Sequence, residues 1–388
     1  MVRAFVARGF SDARYDAQQF AINLGAGESA GMMYLSNFYA DFCRAPRWGR
    51  SGLPADMVQA RIQGLADAKS TVASVDRLMP VIRDRSHAWF CRAQIQAQFK
   101  DAQLQISDVL IGDDHRAFLV LDSPTQTQQA DDAVLKTLAI GFDEAMARAI
   151  QNLRDVSPDK WHALGPSAFM GAWEDTFDCS RILLPDLIYR LNLPANAVAL
   201  IPARGVLLVT SSTSIAGQLM VLVAAQNLLD ENSRWVSAHM LELVNGQWQA
   251  YTPAAPEVRA MQDEIHTRMQ ASNYGQQKAL LEEQLKQQGK DIFVATYMAY
   301  KRDDGAFSVA TWTQGVEAWL PKTHFIMFVK PGTNEKHDVV TVTWDTAFTC
   351  LQSLMAVVPD VLPVRFQVRG FPDTQTLDVL RSQQAALG

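Results

Sequence analysis

WEDTFDCSRILLP, Trp173 to Pro185, crowds three acids, a thiol, a hydroxyl and an arginine ahead of an apolar run. Two kinds of chemistry suit such a cluster. Asp178, Ser180 and Arg181 at the start of a helix could bind phosphate or carboxylate, because free N–H groups and the helix dipole attract anions there. Alternatively Asp178 or Ser180 caps the helix and Arg181 pairs with Asp175 or Asp178. The capping reading is favoured. Pro185 fits a helix interior poorly, so the helix proper is expected to begin near Leu184 with Pro185 at its first position. Cys179 would need a base to act as a nucleophile. Nothing in the sequence brings His87 or His162 to it, and it reads better as a small buried apolar residue.

Arg83 in PVIRDRSHAWF and Arg204 in PARG are the next candidates, since a guanidinium offers a planar fork to an anion. Both flank apolar strand-like runs, where a charge needs a partner. Asp122, ending FLVLD, is one choice, and a sheet-fixing Arg–Asp pair is preferred to a ligand clamp. Asn152 reads as a helix C-cap or a brace. Asp113, Asp114 and His115 give a weak hint of a metal, since Asp113 and His115 share one face of a strand. Hard-metal sites need further oxygens from elsewhere, so ordinary hairpin residues are preferred here. The remaining histidines show no HxH or HExxH spacing, and there is no GxxxxGK[ST], GxGxxG or GxSxG. No metal and no cofactor are expected, and no catalytic residue can be assigned. Trp312, Trp319 and Trp344 could mark an interface, but core packing is favoured.

The elements that must hold these residues can be read from periodicity. PADMVQARIQGLADAKSTV and LSNFYADFCRA have helical spacing, as does the segment around Ala145, Ala149, Ile150 and Leu153, with Asp143 as a plausible cap. SDVLIGDDHRAFLVLDSP reads as two strands turning at Gly112, Asp113 and Asp114. AVALIPARGVLLVTSS reads as strand, turn, strand. IAGQLMVLVAAQNLL suits a buried helix better than a membrane span, being short and carrying Gln218, Gln226 and Asn227. Asn245-Gly246 is a strong hairpin-tip signal. YTPAAPEV, with Pro253 and Pro256, marks a boundary. Beyond it come a long polar helix from Val258 to Lys290 and four or five strands, the first pair joined through Asp303-Asp304-Gly305. A helix from Asp345 to Val357, the strand VRFQVRGF and a helix from Thr374 follow. The expected fold class is α+β in two domains, 1–255 and 256–388, each a mixed or antiparallel sheet with helices packed against it.

The chain has 388 residues, 48% hydrophobic, with formal charge −6. That is enough material for two cores. The densest basic stretch is only RAPRWGR, so neither nucleic acid nor anionic lipid is an expected partner. The N-terminus has no apolar signal region. Four scattered cysteines without a CxxC pair suit a reduced, cytoplasmic protein.

Five short motifs, in order, carry a resemblance: LMPVIRD, AFLVLDSP, AIQNLR, DTFDCSRILLP and VALIPARGVLLV. Together they resemble the bacterial family catalogued as domain of unknown function 1444, over roughly residues 30–255. Cys179 stands where that family has a small residue, Gly205 where an aspartate is common, and the chain after Pro256 lies outside the resemblance. The family has no assigned activity, so the resemblance implies a fold relationship and little chemistry. The expectation is a non-catalytic interaction or ligand-binding protein with a protein partner, such as an adaptor, immunity or accessory component. The alternative is an enzyme holding a small anionic substrate with Arg83, Arg181 and Arg204, and Asp178 or Asp122 as base. The two part on geometry: the enzyme needs these groups in one solvent-open pocket.

Overall fold

The computed structural model describes residues 1–17, 20–25, 32–35, 38–39, 42–43, 46–70, 74–98, 104–123, 127–230, 234–302, 305–332 and 337–385. The helix expected over 35–45 falls largely outside these residues, and so does the Asp303-Asp304 turn. Near the N-terminus, helix α1 (Val2–Val6), a three-stranded antiparallel sheet (β1, Arg14–Asp16; β2, Ala21–Asn23; β3, Met32–Tyr34) and helix α2 (Leu53–Ser70) share a small core of Phe5, Ile22, Leu24 and Val58.

The apolar runs LMPVI and AFLVL become the central ladder of a second sheet. Strand β4 (Leu78–Asp84) leads into helix α3 (His87–Gln98). Strands β5 (Val109–Ile111), β6 (His115–Asp122) and β7 (Thr127–Gln129) follow, and β6 pairs antiparallel with the other three. Both faces of the β4–β6 ladder are covered, which is why the runs are continuous rather than alternating. Leu78, Ile82, Leu119 and Leu121 face one core, and Met79, Val81, Phe118 and Val120 the other. After a short helix α4 (Asp132–Thr137), helix α5 (Phe142–Asp155) lays Ala145 and Ala149 against the first core and Leu153 against the second. Its cap is Gly141 rather than Asp143, which sits in the first turn.

A third sheet holds six antiparallel strands: β8 (Trp161–Gly165), β9 (Ala168–Gly171), β10 (Ala197–Leu200), β11 (Leu208–Ser211), β12 (Met240–Val244) and β13 (Gln247–Tyr251), in the order β13-β12-β10-β11-β9-β8. Between β9 and β10, a 3₁₀ turn over Asp178–Leu183 precedes helix α6 (Pro185–Tyr189), which has Pro185 at its first position as the sequence predicts. Helix α7 (Ile215–Asp230) is the expected buried helix. Asn245 and Gly246 take φ of 51° and 81°, the left-handed pair a tight hairpin needs.

Helix α8 (Pro256–Gln287) is one uninterrupted rod. Its first half packs Val258, Ile265 and Met269 under the six-stranded sheet with α7. Its second half sets Leu281 and Leu285 against Trp89 and Ala93 of α3.

The remaining chain forms two four-stranded mixed sheets rather than one layer of four or five strands. Its strands are β14 (Phe293–Val294), β15 (Met298–Arg302), β16 (Gly305–Thr313), β17 (Ala318–Pro321), β18 (Phe325–Lys330), β19 (Asp338–Thr343), β20 (Met355–Val357) and β21 (Arg365–Val368). The sheets run β14-β17-β21-β20 and β15-β16-β18-β19. AWLP supplies the extra strand β17, which bonds β14 in parallel and β21 antiparallel. The helix expected over 345–357 is shorter: α9 (Trp344–Leu351) gives way to a 3₁₀ turn and β20. Helix α10 (Thr374–Ser382) closes the fold. Trp312 and Trp344 are buried in this core and Trp319 packs beside it, so the core reading of the tryptophans holds. The fold is α+β in more than one domain.

Candidate functional site

The sequence-predicted residues divide into separate groups. Arg181 is fully buried, and its two terminal nitrogens grip Asp175 at 2.8 and 2.7 Å. Its Nε donates to Ser157 Oγ at 2.8 Å, and the guanidinium lies over the Trp173 ring at 4.4 Å. Every face of the cation is thereby occupied by protein. Asp178 does not cap the helix. Its carboxylate turns back and accepts from the backbone N–H groups of Trp173 and Asp175 at 3.1 and 3.0 Å. Ser180 does not cap it either, since its hydroxyl is buried without a hydrogen bond. The caps fail because the segment makes a 3₁₀ turn before Pro185 starts the helix, so both side chains sit too far upstream. Cys179 is buried, as expected of a small apolar residue. Asn152 is a brace, donating to the carbonyls of Val75 and Leu78.

Asp122 is not the partner of Arg83 or Arg204. The β4–β6 register sets Arg83 opposite Arg116. Asp122 is six residues further along the ladder, roughly 20 Å away at strand rise. Its backbone carbonyl accepts from Arg77. Arg83 and Arg204 do come into each other's field. Arg204 sits in a turn where Gly205 takes φ of 74°, and its backbone N–H bonds the Arg234 carbonyl at 2.8 Å. Burial first, then the charge of Arg83, lowers the Arg204 guanidinium to about 10. Among the described residues Arg204 Nε is buried without a hydrogen bond, and Arg83 donates to the carbonyl of Ile82. The predicted residues thus form no common pocket: Asp178, Ser180 and Arg181 serve a structural knot, Arg83 and Arg204 share a second locale, and Asp122 and Asn152 stand apart.

A different set converges. A cleft of about 360 Å³ opens between the two parts of the chain. One wall brings Asp114 from the β5–β6 hairpin, Ser86, Ser237 and His239. Helix α8 supplies His266, Asn273 and Tyr274, and the far wall gives Tyr297, Lys322 and His324. Asp114 Oδ2 makes a short ion-paired contact with His239 Nδ1. Ser237 Oγ accepts from the His239 backbone N–H at 3.0 Å and fixes the approach of that residue. The His239 and His266 rings stack with centroids 4.4 Å apart. Asp114, His239 and His266 each offer a donor atom, all within 4.8 Å of one another, so these are the residues that could hold a metal.

The electrostatics follow from this geometry. Burial pushes the Asp114 carboxyl up, but the His239 hydrogen bond and charge outweigh it and hold the acid at about 2. Burial pulls His239 down, yet Asp114 wins and raises it above the ordinary imidazole value. Burial and the neighbouring His239 charge take His266 down to about 4. At neutral pH the site therefore pairs a carboxylate, Asp114, with a neutral imidazole, His266, while His239 holds its proton to higher pH than an ordinary imidazole. His115, beside Asp114, is 1% exposed and neither ring nitrogen has a hydrogen bond. Across the cleft, His324 Nδ1 accepts from the Ser308 N–H at 3.0 Å, which assigns the neutral ring proton to Nε2. The Ser308 hydroxyl is buried and hydrogen-bonds the same ring at 2.8 Å, a serine–histidine contact within reach of proton transfer.

Sequence reasoning weighed Asp113, Asp114 and His115 as a hint of a metal and set it aside, and it missed that His239 and His266 join Asp114. The hairpin was legible, but the partners lie 125 residues away in one case and on a helix beyond the boundary in the other. No local spacing signals them. Comparison with protein-family models, curated proteins and solved structures returned no match.

Proposed function

We propose that this protein binds a small polar ligand in the cleft between its two parts, without turning it over. One observation carries the reading. Of the seven histidines in the chain, three (His239, His266 and His324) come from three separate segments to line this cleft, joined by Asp114, with His115 buried next to that acid. Core packing alone gives no reason to gather imidazoles, whereas a binding site needs a few convergent polar groups in a concave wall. The non-catalytic reading is supported by the dispersal of Arg181, Asp178 and Asp122. Kinship of roughly residues 30–255 with the 1444 family belongs to the same proposal, supported by its five ordered motifs. So does a cytoplasmic setting, supported by four unpaired thiols. An adaptor or accessory role with a protein partner would use the bound ligand as its signal.

The test uses Asn273, half-buried on α8 and lining the cleft. Wild-type protein isolated from its native host is expected to release a defined small molecule on denaturation. Asn273→Trp, which fills the cleft while keeping a helix-compatible residue, should fold with an unchanged circular dichroism spectrum and release none. Equal release from both, or none from wild type, refutes the reading.

A second reading has one observation in its favour. Arg204 is half-buried, its Nε has no hydrogen bond among the described residues, and Asp84 offsets only part of the cost of setting it in the field of Arg83. An anion between these two guanidiniums would relieve that cost, and this retains part of the arginine-held-substrate alternative.

A further inference from the structure

We propose that Asp114, His239 and His266 form a binding site for one divalent transition-metal ion of the zinc, cobalt or ferrous type. The inference rests on the reading of the cleft as the working site and names what is held there. Two imidazole nitrogens and one carboxylate oxygen are the donors such ions take in sites with open positions. Calcium and magnesium prefer all-oxygen shells, so this donor set selects against them.

The geometry is close to ready. Donors around a tetrahedral ion with bonds of ~2.0 Å stand ~3.3 Å apart, against an outer limit of 4.8 Å here. The Asp114–His239 contact is already shorter than that and must open as an ion replaces the shared proton, while His266 moves by about an ångström. The three donors also come from three different elements: the hairpin before β6, the segment leading into β12, and α8. Each is anchored independently. Gly112 at the hairpin takes φ of 58° against Leu241, and Ser237 holds the backbone of His239. His266 stands between the buried Ile265 and Thr267 on a helix packed along its length. A preformed set of donors on rigid elements is what metal affinity needs.

His115 adjoins Asp114 but is buried outside the cleft lining, so the ion's shell is Asp114, His239, His266 and whatever enters from the cleft. The open side of the triad faces the cleft, whose far wall carries Lys322, Tyr297 and His324. The ion's free positions would therefore meet a small molecule with its own oxygen or nitrogen donors.

The experiment is cobalt and zinc binding by the full-length protein. Metal-free wild type incubated with excess Co²⁺ and desalted should retain about one ion per chain, with the ligand-field absorption of an imidazole- and oxygen-ligated ion. Asp114→Asn and His266→Ala should each weaken Co²⁺ binding at least tenfold, while His324→Ala should not. If His266→Ala fails to fold, His266→Gln with unchanged circular dichroism takes its place. No retained Co²⁺ or Zn²⁺, or retention indifferent to Asp114→Asn and His266→Ala, overturns the proposal. Should metal binding fail while Asn273→Trp still abolishes small-molecule release, the cleft reading stands without the ion. Metal retention with no released molecule leaves the ion site standing and removes the ligand.

Discussion

Removing the Asp175 carboxylate is expected to destabilise the protein more than removing the arginine it holds. Arg181 is fully buried, and among the described residues Asp175 is the carboxylate that hydrogen-bonds it, through two bonds. Breaking a buried pair from one side costs about 3–5 kcal/mol, because the remaining charge is stranded. Asp175 keeps 36% of its side chain exposed, so solvent screens part of the pair and the lower end, about 2–3 kcal/mol, applies. In Arg181→Met the outcome differs. The carboxylate left behind is already near water, and an unbranched apolar side chain fills the stacking place over Trp173. That change should cost about 1 kcal/mol less than Asp175→Ala, and the double variant should recover part of the Asp175→Ala loss. The assay is urea denaturation followed by tryptophan fluorescence, comparing midpoints at equal slope. If Asp175→Ala costs under about 1 kcal/mol, or the two single losses simply add, the pair is not what neutralises Arg181.

Two further outcomes are expected. His87 is driven down to about 3 by burial and by the charges of Arg204 and Arg83. The unfolded chain therefore takes up a proton the folded one refuses. Stability is full above pH ~6.5 and falls as pH drops towards 3, by about 2 kcal/mol at pH 5. His87→Gln should flatten that part of the profile in denaturant midpoints at pH 5 and 7, and an unchanged slope tells against it. At the second locale, inorganic phosphate should raise the melting temperature of wild type and leave Arg204→Met unmoved. The methionine variant without phosphate should melt no lower than wild type, since it loses a half-buried cation that faces the like charge of Arg83. A phosphate response that survives Arg204→Met excludes an anion site there.

Much of the scaffold was legible because it obeys local rules. LMPVI and AFLVL announce a ladder buried on both faces, Asn245-Gly246 announces a hairpin, and Pro185 announces a helix start. The fine structure of the second part was less so. AWLP is short and ends in proline, so β17 looks like a loop until β14 and β21 pair with it. The cleft was not legible at all. His239 and His266 lie in stretches whose patterns say only strand and helix, and Asp114 looks like any hairpin acid. Their meeting is a product of how α8 crosses between the two parts, which is tertiary information. The arginines misled for the opposite reason. Arg181 looks like a ligand group in sequence because its partner Asp175 and its ring Trp173 crowd beside it, and those neighbours leave it nothing to bind.

Helix α8, with 32 residues, is about 48 Å long. It begins one residue after the boundary that the prolines suggest, and it does not behave as a linker. Its early turns are the floor of the six-stranded sheet and its late turns are the wall behind α3. A chain cut at 255 would strip Val258, Ile265 and Met269 from that floor and leave a broad apolar face wet. The fragment from 256 onward would carry the same stripe with nothing to cover it. The two parts are therefore thermodynamic dependents of one rod. The spacing across the cleft is set by a girder rather than a joint, so what binds there meets walls already in place.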